Sequence, residues 1–324
     1  MNKKETSSLQ FSPEGKLRHL LHLHGLPKNF IQGLLDQAEL LQSSIGKPPL
    51  RTDTLKGRTI ANLFFEPSTR TRASFELAAK RLSADVLNLD VNMSSRIKGE
   101  SLLDTIYTLQ AMQVDIFVVR DAGVGIPEFI SRNVLPNVCV MSAGEADVSH
   151  PTQGLLDLLT IRQNKGKLDG LKVTVVGDIL HSRVARSLSE GLKIMGNNEL
   201  CLVAPKGLEP DMVHYPNAYC NQNIDDALEG ADVIMALRIQ RERIKQEPSL
   251  IVNSNEYLKL YGLTPERVAL ANPDAIVMHP GPMNRDVEIS GSVADGPQSV
   301  ITQQVNNGLA VRMAVLKSVI ESHS

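Results

Sequence analysis

Tryptophan does not occur in this 324-residue chain, and aromatic side chains make up only 4% of it. That argues against the stacking platforms on which single-stranded nucleic acids are held. Basic and acidic residues nearly balance, 34 against 36, for a net charge of −2. A chain-wide basic field for nucleic acid is therefore missing as well. Cysteine is scarce: Cys139, Cys201 and Cys220 are an odd, scattered set with no C-x-x-C pair. A disulfide framework and a structural zinc site are both excluded, and a reducing cytoplasm is expected. No apolar run is as long as a membrane span. The stretch from Met1 to Phe11 is polar, unlike the apolar core of a secretion signal. These gaps predict a cytoplasmic protein that engages neither nucleic acid nor membrane.

What remains is an ordinary globular composition, 42% hydrophobic and 22% charged, at a length that suits two domains. Apolar residues from Leu17 to Leu41 recur at helical spacing, which predicts two helices broken at Gly25-Leu26-Pro27. Strands and helices then alternate. Strands are expected at Thr59–Phe65, Ala84–Leu89, Asp115–Arg120 and Val138–Met141, with helices at Thr69–Leu82, Leu102–Met112, Ile126–Asn133 and Gly154–Arg162. After the polar stretch Gln163–Gly170 the alternation restarts, with strands at Leu171–Gly177, Leu200–Val203, Val233–Leu237 and Ala275–His279. Helices are expected at Ser182–Met195, Ile224–Leu228 and Thr302–Ile320. This rhythm predicts an α/β protein of two doubly wound parallel-sheet domains. Ligands are expected at the carboxyl ends of the strands and in the cleft between the domains.

Five motifs carry chemistry. Phe64-Phe65-Glu66-Pro67-Ser68-Thr69-Arg70-Thr71-Arg72 ends a strand and starts a helix. Unpaired first-turn N–H groups, the helix dipole, two hydroxyls and Arg70 would make an anion cradle suited to phosphate. The same residues also read as an ordinary serine-capped helix with surface arginines. The stretch is no P-loop, since no Gly-Lys-Ser/Thr follows a glycine-rich loop. His150-Pro151-Thr152-Gln153 precedes a helix, with His150 able to donate to an oxygen and Gln153 to orient an amide; alone, His150 reads better as a solvated loop histidine. Gly177-Asp178-Ile179-Leu180-His181-Ser182-Arg183 follows a strand but fails the G-x-G-x-x-G test for a dinucleotide. Arg183 there is either a carboxylate ligand or a first-turn surface arginine. Arg238, Arg241 and Arg243 lie in one seven-residue stretch at a strand end, lining a carboxylate site or a solvated face. His279-Pro280-Gly281-Pro282 is an irregular strand end that could aim carbonyls at a donor, or simply turn the chain.

Taken together these motifs resemble the aspartate/ornithine transcarbamylase family, over nearly the whole chain from Leu17 to the last helix. F-x-E-x-S-T-R-T-R resembles the family's carbamoyl phosphate signature. Lys98-Gly99-Glu100-Ser101, His150-Pro151-Thr152-Gln153 and Arg238-x-Gln240 match it in order and spacing. The resemblance implies transfer of a carbamoyl group from carbamoyl phosphate to an amino acid, L-aspartate here, as the committed step of pyrimidine synthesis. It implies that Ser68, Thr69, Arg70 and Thr71 hold the phosphate, and that Thr71, Arg120 and His150 donate to the carbamoyl oxygen. Gln153 and the backbone carbonyls of Pro280 and Gly281 would receive the substrate nitrogens. Arg183 would take the α-carboxylate, and Arg238 with Gln240 the side-chain carboxylate. Ser94 and Lys98 would reach in from a neighbouring chain of a homotrimer with shared active sites. Glu66 would bridge the domains to Arg183 or Arg243.

The implied domains are 1–150 plus 305–324 for carbamoyl phosphate and 151–304 for aspartate. No metal or other cofactor is called for, because the amine attacks directly and the departing phosphate can take its proton. Regulatory chains or a dihydroorotase-like chain remain open as further partners. The alternative acceptor within the family is ornithine, whose ammonium needs an acidic residue and whose enzymes typically show a His-Cys-Leu-Pro turn; this chain has His279-Pro280-Gly281-Pro282.

Overall fold

A computed structural model describes residues 9–89, 101–239 and 254–321. The chain divides into two compact units, Met1–Leu155 with Asn306–Ser324, and Leu156–Val305.

The first unit contains α1 (Lys28–Leu41), β1 (Thr59–Phe64), α2 (Thr69–Arg81), β2 (Asp85–Leu89), α3 (Leu102–Ala111), β3 (Ile116–Asp121), α4 (Ile126–Asn133) and β4 (Cys139–Glu145). Its sheet is fully parallel with the order β2-β1-β3-β4. Alternating side chains send Ala61, Leu63, Phe117 and Val119 to one face, where they pack with Ile106 and Leu109 of α3 and Ile130 of α4. On the other side, Cys139 Sγ reaches the Val319 carbonyl and Arg312 stacks over Phe75 of α2. Both partners belong to a long last helix, α11 (Ile301–Glu321).

The second unit contains β5 (Lys172–Val176), α6 (Arg183–Met195), β6 (Glu199–Val203), β7 (Ala218–Cys220), α7 (Ile224–Leu228), β8 (Val233–Ala236), α8 (Ser254–Tyr261), α9 (Pro265–Val268), β9 (Ile276–Met278) and α10 (Gly291–Ala294). Its sheet is also parallel, in the order β7-β6-β5-β8-β9. One face packs Val176, Val203, Ile234 and Val277 against residues of α7, α9 and α10. The division between units falls inside α5 (Pro151–Lys165) and inside α11, at 155/156 and 305/306, where the sequence reading drew it at 150/151 and 304/305.

One expected helix does not form. Leu17–His24 is irregular, and α1 begins only after Pro27, whose ψ of 145° is extended. A helix there would turn Leu17, Leu20 and Leu21 inward and leave Leu23 and Leu26 on its other side. The irregular course buries all five. Its backbone is satisfied without a helix: Leu20 N–H donates to the Val140 carbonyl and its own carbonyl accepts from Ser142, beside β4. The buried Gln10 side chain accepts from Leu21 and His22. β4 and α5 are longer than expected, so His150 directly precedes a helix. β7, α8, α9 and α10 were not anticipated; apart from α8 each has only three or four residues, too few to show a period. Val305, an apolar residue of the last helix, is exposed.

Candidate active site

Each sheet reverses its winding once, between β1 and β3 in the first unit and between β5 and β8 in the second. Crevices at the carboxyl ends of such strands are where α/β sheets bind ligands. The described motif residues sit at or just after those ends.

In the first unit, Ser68 occupies the N-cap of α2, yet its hydroxyl makes no capping bond. The first helical bond runs from Arg72 N–H to the Ser68 carbonyl. The N–H groups of Thr69, Arg70 and Thr71 therefore precede the ladder. The first turn carries no carboxylate, and Thr69 and Arg70 are exposed, so the positive end of α2 faces solvent with basic company. Such an arrangement can hold an anion.

Arg120, at the end of β3, ties the neighbouring strand ends together. Its Nη2 lies 2.7 Å from Glu66 Oε1 and its Nη1 donates to the Ala143 carbonyl at 3.0 Å. Phe65 N–H donates to the Arg120 carbonyl. Glu66, expected as a bridge to the other unit, holds Arg120 of its own unit. Arg243, one of the two arginines expected as its bridge partner, lies outside the described residues, as do Ser94, Lys98 and Gln240.

His150 is not a solvated loop residue: it and Gln153 are buried, at 5% and 7% exposure. The His150 carbonyl accepts from Gln153 and Gly154, which sets it at the start of α5. The preceding loop closes on Glu145, whose backbone pairs with Ser149, and the Glu145 carboxylate accepts the Gly125 N–H. Burial, with Glu128, Asp121 and Asp147 nearby, pushes that carboxyl above the usual carboxylate range, against the pull of Gly125.

In the second unit, Gly177 ends β5 at a φ of 135°, and a Cβ there would lie 2.5 Å from the Leu237 carbonyl oxygen. Glycine thus allows the ends of β5 and β8 to close together, with Leu237 N–H on the Val176 carbonyl. Asp178 is wholly buried and engaged by the His181 ring at 2.9 Å, and Ser182 caps α6 through Ala185 N–H. Arg183 is the first residue of α6 and is buried, so the surface reading fails. A cation in a first helical turn opposes the dipole. Arg238 follows β8 and is half-buried.

After β9, Gly281 adopts a φ of 65°, a left-handed conformation that favours glycine. Its N–H donates to His279 Nδ1 at 2.8 Å, while His279 Nε2 meets Glu288 Oε1 at 3.2 Å. Glu288, Gln304 and Asp157, which complete this buried network, carried no sequence signal. Among the described residues no group of three or more His, Cys, Asp or Glu could hold a metal ion, and no helix is long and apolar enough to cross a membrane.

Comparison with known proteins places the same two regions in one family. Residues 18–163 match the carbamoyl phosphate binding domain of the aspartate/ornithine carbamoyltransferases, and residues 169–319 match their aspartate/ornithine binding domain. The chain belongs to this family. It is a carbamoyltransferase. Similar solved structures include the catalytic subunit of M. jannaschii aspartate transcarbamoylase, 37% identical with a TM-score of 0.80, covering 94% of this chain and 98% of that one. The Trypanosoma cruzi aspartate transcarbamoylase in complex with carbamoyl phosphate and aspartate is 30% identical, with a TM-score of 0.85 and 97% and 98% coverage. An ornithine carbamoyltransferase from Thermus thermophilus also matches, at 28% identity, a TM-score of 0.81 and 94% and 99% coverage. Within this carbamoyltransferase, the turn at Ser68–Thr71 falls in the region matching the carbamoyl phosphate binding domain, and Arg183 and Arg238 fall in the region matching the aspartate/ornithine binding domain.

Proposed function

We propose that this carbamoyltransferase uses L-aspartate as its acceptor, forming N-carbamoyl-L-aspartate and phosphate, the committed step of pyrimidine synthesis, in the cytoplasm. The observation that carries the reading is the buried Arg183 at the start of α6, with Arg238 at the end of β8. Two cations beside one switch point suit an acceptor with two carboxylates. Ornithine would bring a second ammonium in need of an acidic partner. Asp178, the buried acid nearby in sequence, is occupied by His181.

In this reading Ser68, Thr69, Arg70 and Thr71 hold the phosphate. Thr71, Arg120 and His150 donate to the carbamoyl oxygen as it becomes an oxyanion. Gln153 and the carbonyls of Pro280 and Gly281 receive the carbamoyl nitrogen. Arg183 takes the α-carboxylate, and Arg238 with Gln240 the β-carboxylate. The amine attacks the carbamoyl carbon, the carbon–oxygen bond to phosphate breaks, and the phosphate leaves with the amine's proton. Arg70 stabilises the charge that departs. Positioning and electrostatics supply the rate, with no covalent intermediate on the protein. Ser94 and Lys98 complete the site from the adjacent chain of a cyclic trimer.

Succinate has aspartate's two carboxylates and no amine, so it tests the acceptor site alone. Succinate is expected to compete with the acceptor, while a diamine of similar length does not. Inhibition by the diamine and indifference to succinate would overturn the aspartate assignment.

A further inference from the structure

The turn after β9 holds a histidine that the reaction scheme leaves without a role. His279 is wholly buried, and its backbone N–H and both ring nitrogens are engaged. Its backbone N–H donates to Gln304 Oε1 at 3.0 Å, and Gln304 in turn donates to Asp157 Oδ1 at 2.7 Å. Its Nδ1 accepts the Gly281 N–H at 2.8 Å, and its Nε2 faces Glu288 Oε1 at 3.2 Å. Glu288 is buried too, and its Oε1 also accepts the Asn284 N–H.

These contacts fix the ring. A nitrogen that accepts a backbone N–H carries no proton, so the proton is on Nε2 and is donated to Glu288. They also fix a peptide plane. The Gly281 N–H and the Pro280 carbonyl belong to one trans peptide group, in which the two bonds point in opposite directions. Pinning the N–H on the buried ring therefore turns the Pro280 carbonyl away from the ring. The left-handed φ of Gly281 lets the chain continue from that plane.

We propose that His279 is a positioning residue for the transfer reaction: its unprotonated Nδ1, held by Glu288 through Nε2, orients the Pro280 carbonyl that receives the carbamoyl nitrogen. This rests on the role of that carbonyl in the reading above. Glu288 acts on the ring and Gln304 on the backbone N–H of His279, and none of the three side chains is a substrate ligand in this scheme.

Two substitutions separate the pin from its support. Asn at position 279 keeps an acceptor near Nδ1 and loses the Glu288 contact. Gln keeps a polar end near Nε2 and has no acceptor near Nδ1. His279→Gln is expected to weaken carbamoyl phosphate binding about tenfold or more, whereas His279→Asn recovers most of it. Binding of inorganic phosphate, which has no nitrogen to offer, is expected to stay within about twofold in both. Imidazole nitrogen NMR of the parent adds a readout free of substrate, with an unprotonated Nδ1 and a slowly exchanging Gly281 amide expected. Equal carbamoyl phosphate binding by the two variants overturns the proposal, as does a protonated Nδ1 or parallel loss of phosphate binding. If the parent binds phosphate but not carbamoyl phosphate, the transfer reading itself fails and the carbonyl role falls with it. That result is distinct from parent binding that both variants share.

Discussion

Replacing Arg120 with lysine keeps the charge and removes the fork. The guanidinium spans two partners, Glu66 at 2.7 Å and the Ala143 carbonyl at 3.0 Å, which an ammonium on a single stem cannot hold together. The two side chains are only 12% and 16% exposed, so solvent screens the pair weakly. Fully exposed pairs contribute under about 1 kcal/mol, and breaking a fully buried one costs about 3–5 kcal/mol. Arg120→Ala falls between these limits, at about 2 kcal/mol, or about 4–8 °C in melting temperature for a domain of this size. Arg120→Lys loses less stability because it retains the charge opposite Glu66. Catalysis separates the roles: losing an aimed oxyanion donor costs about 10²-fold in kcat, and lysine is expected to lose most of that. Urea unfolding and steady-state rates of Arg120→Ala, Glu66→Gln and the double variant form the assay. The double variant should be less destabilised than the sum by about 1 kcal/mol. Additive stabilities, or a lysine variant within threefold (about 0.7 kcal/mol) of the parent rate, would refute the reasoning.

Arg238→Ala should raise the aspartate KM about ten- to a hundredfold and leave carbamoyl phosphate binding nearly unchanged, and equal damage to both would remove the dedicated acceptor role. Glu145 is held above the usual carboxylate range, chiefly by burial. Its contribution to stability is full below its unfolded value and is lost as pH rises through its folded value. Glu145→Gln should therefore gain on the parent in melting temperature as pH rises above the usual carboxylate range, and a constant difference contradicts the shift. Arg70→Ala and Lys98→Ala chains, each inactive, should recover activity in about a quarter of sites when unfolded, mixed and refolded as cyclic trimers. A mixture that stays inactive after verified exchange would confine the site to one chain.

The strand-to-helix turn at Ser68-Thr69-Arg70-Thr71 was legible because it follows a short apolar run and precedes a helical pattern, and the break between them is local. The parallel sheets were legible for the same reason, since Val/Ile/Phe runs alternating with helical patterns leave few other solutions. The Leu17–His24 segment misled because leucines at positions 17, 20 and 21 fit helical spacing, while the decisive partner, Gln10, acts through backbone bonds that spacing does not report. The burial of Arg183 and His150 was equally hidden, for a charged residue at a helix start reads the same on a surface as in a crevice. The Asp157–Gln304–His279 network joins residues as far as 147 positions apart. Asp157 is a lone acid among leucines and Gln304 one of several polar residues in the first turns of the last helix, and only folding shows that they meet.

Carbamoyl phosphate labelled in its carbonyl carbon, supplied with equal L-aspartate and L-ornithine in one vessel, tests the central assignment most directly. Labelled N-carbamoyl-L-aspartate is the predicted product, with citrulline at background and both lost in Arg70→Ala. Citrulline as the main product would contradict the roles given to Arg183 and Arg238.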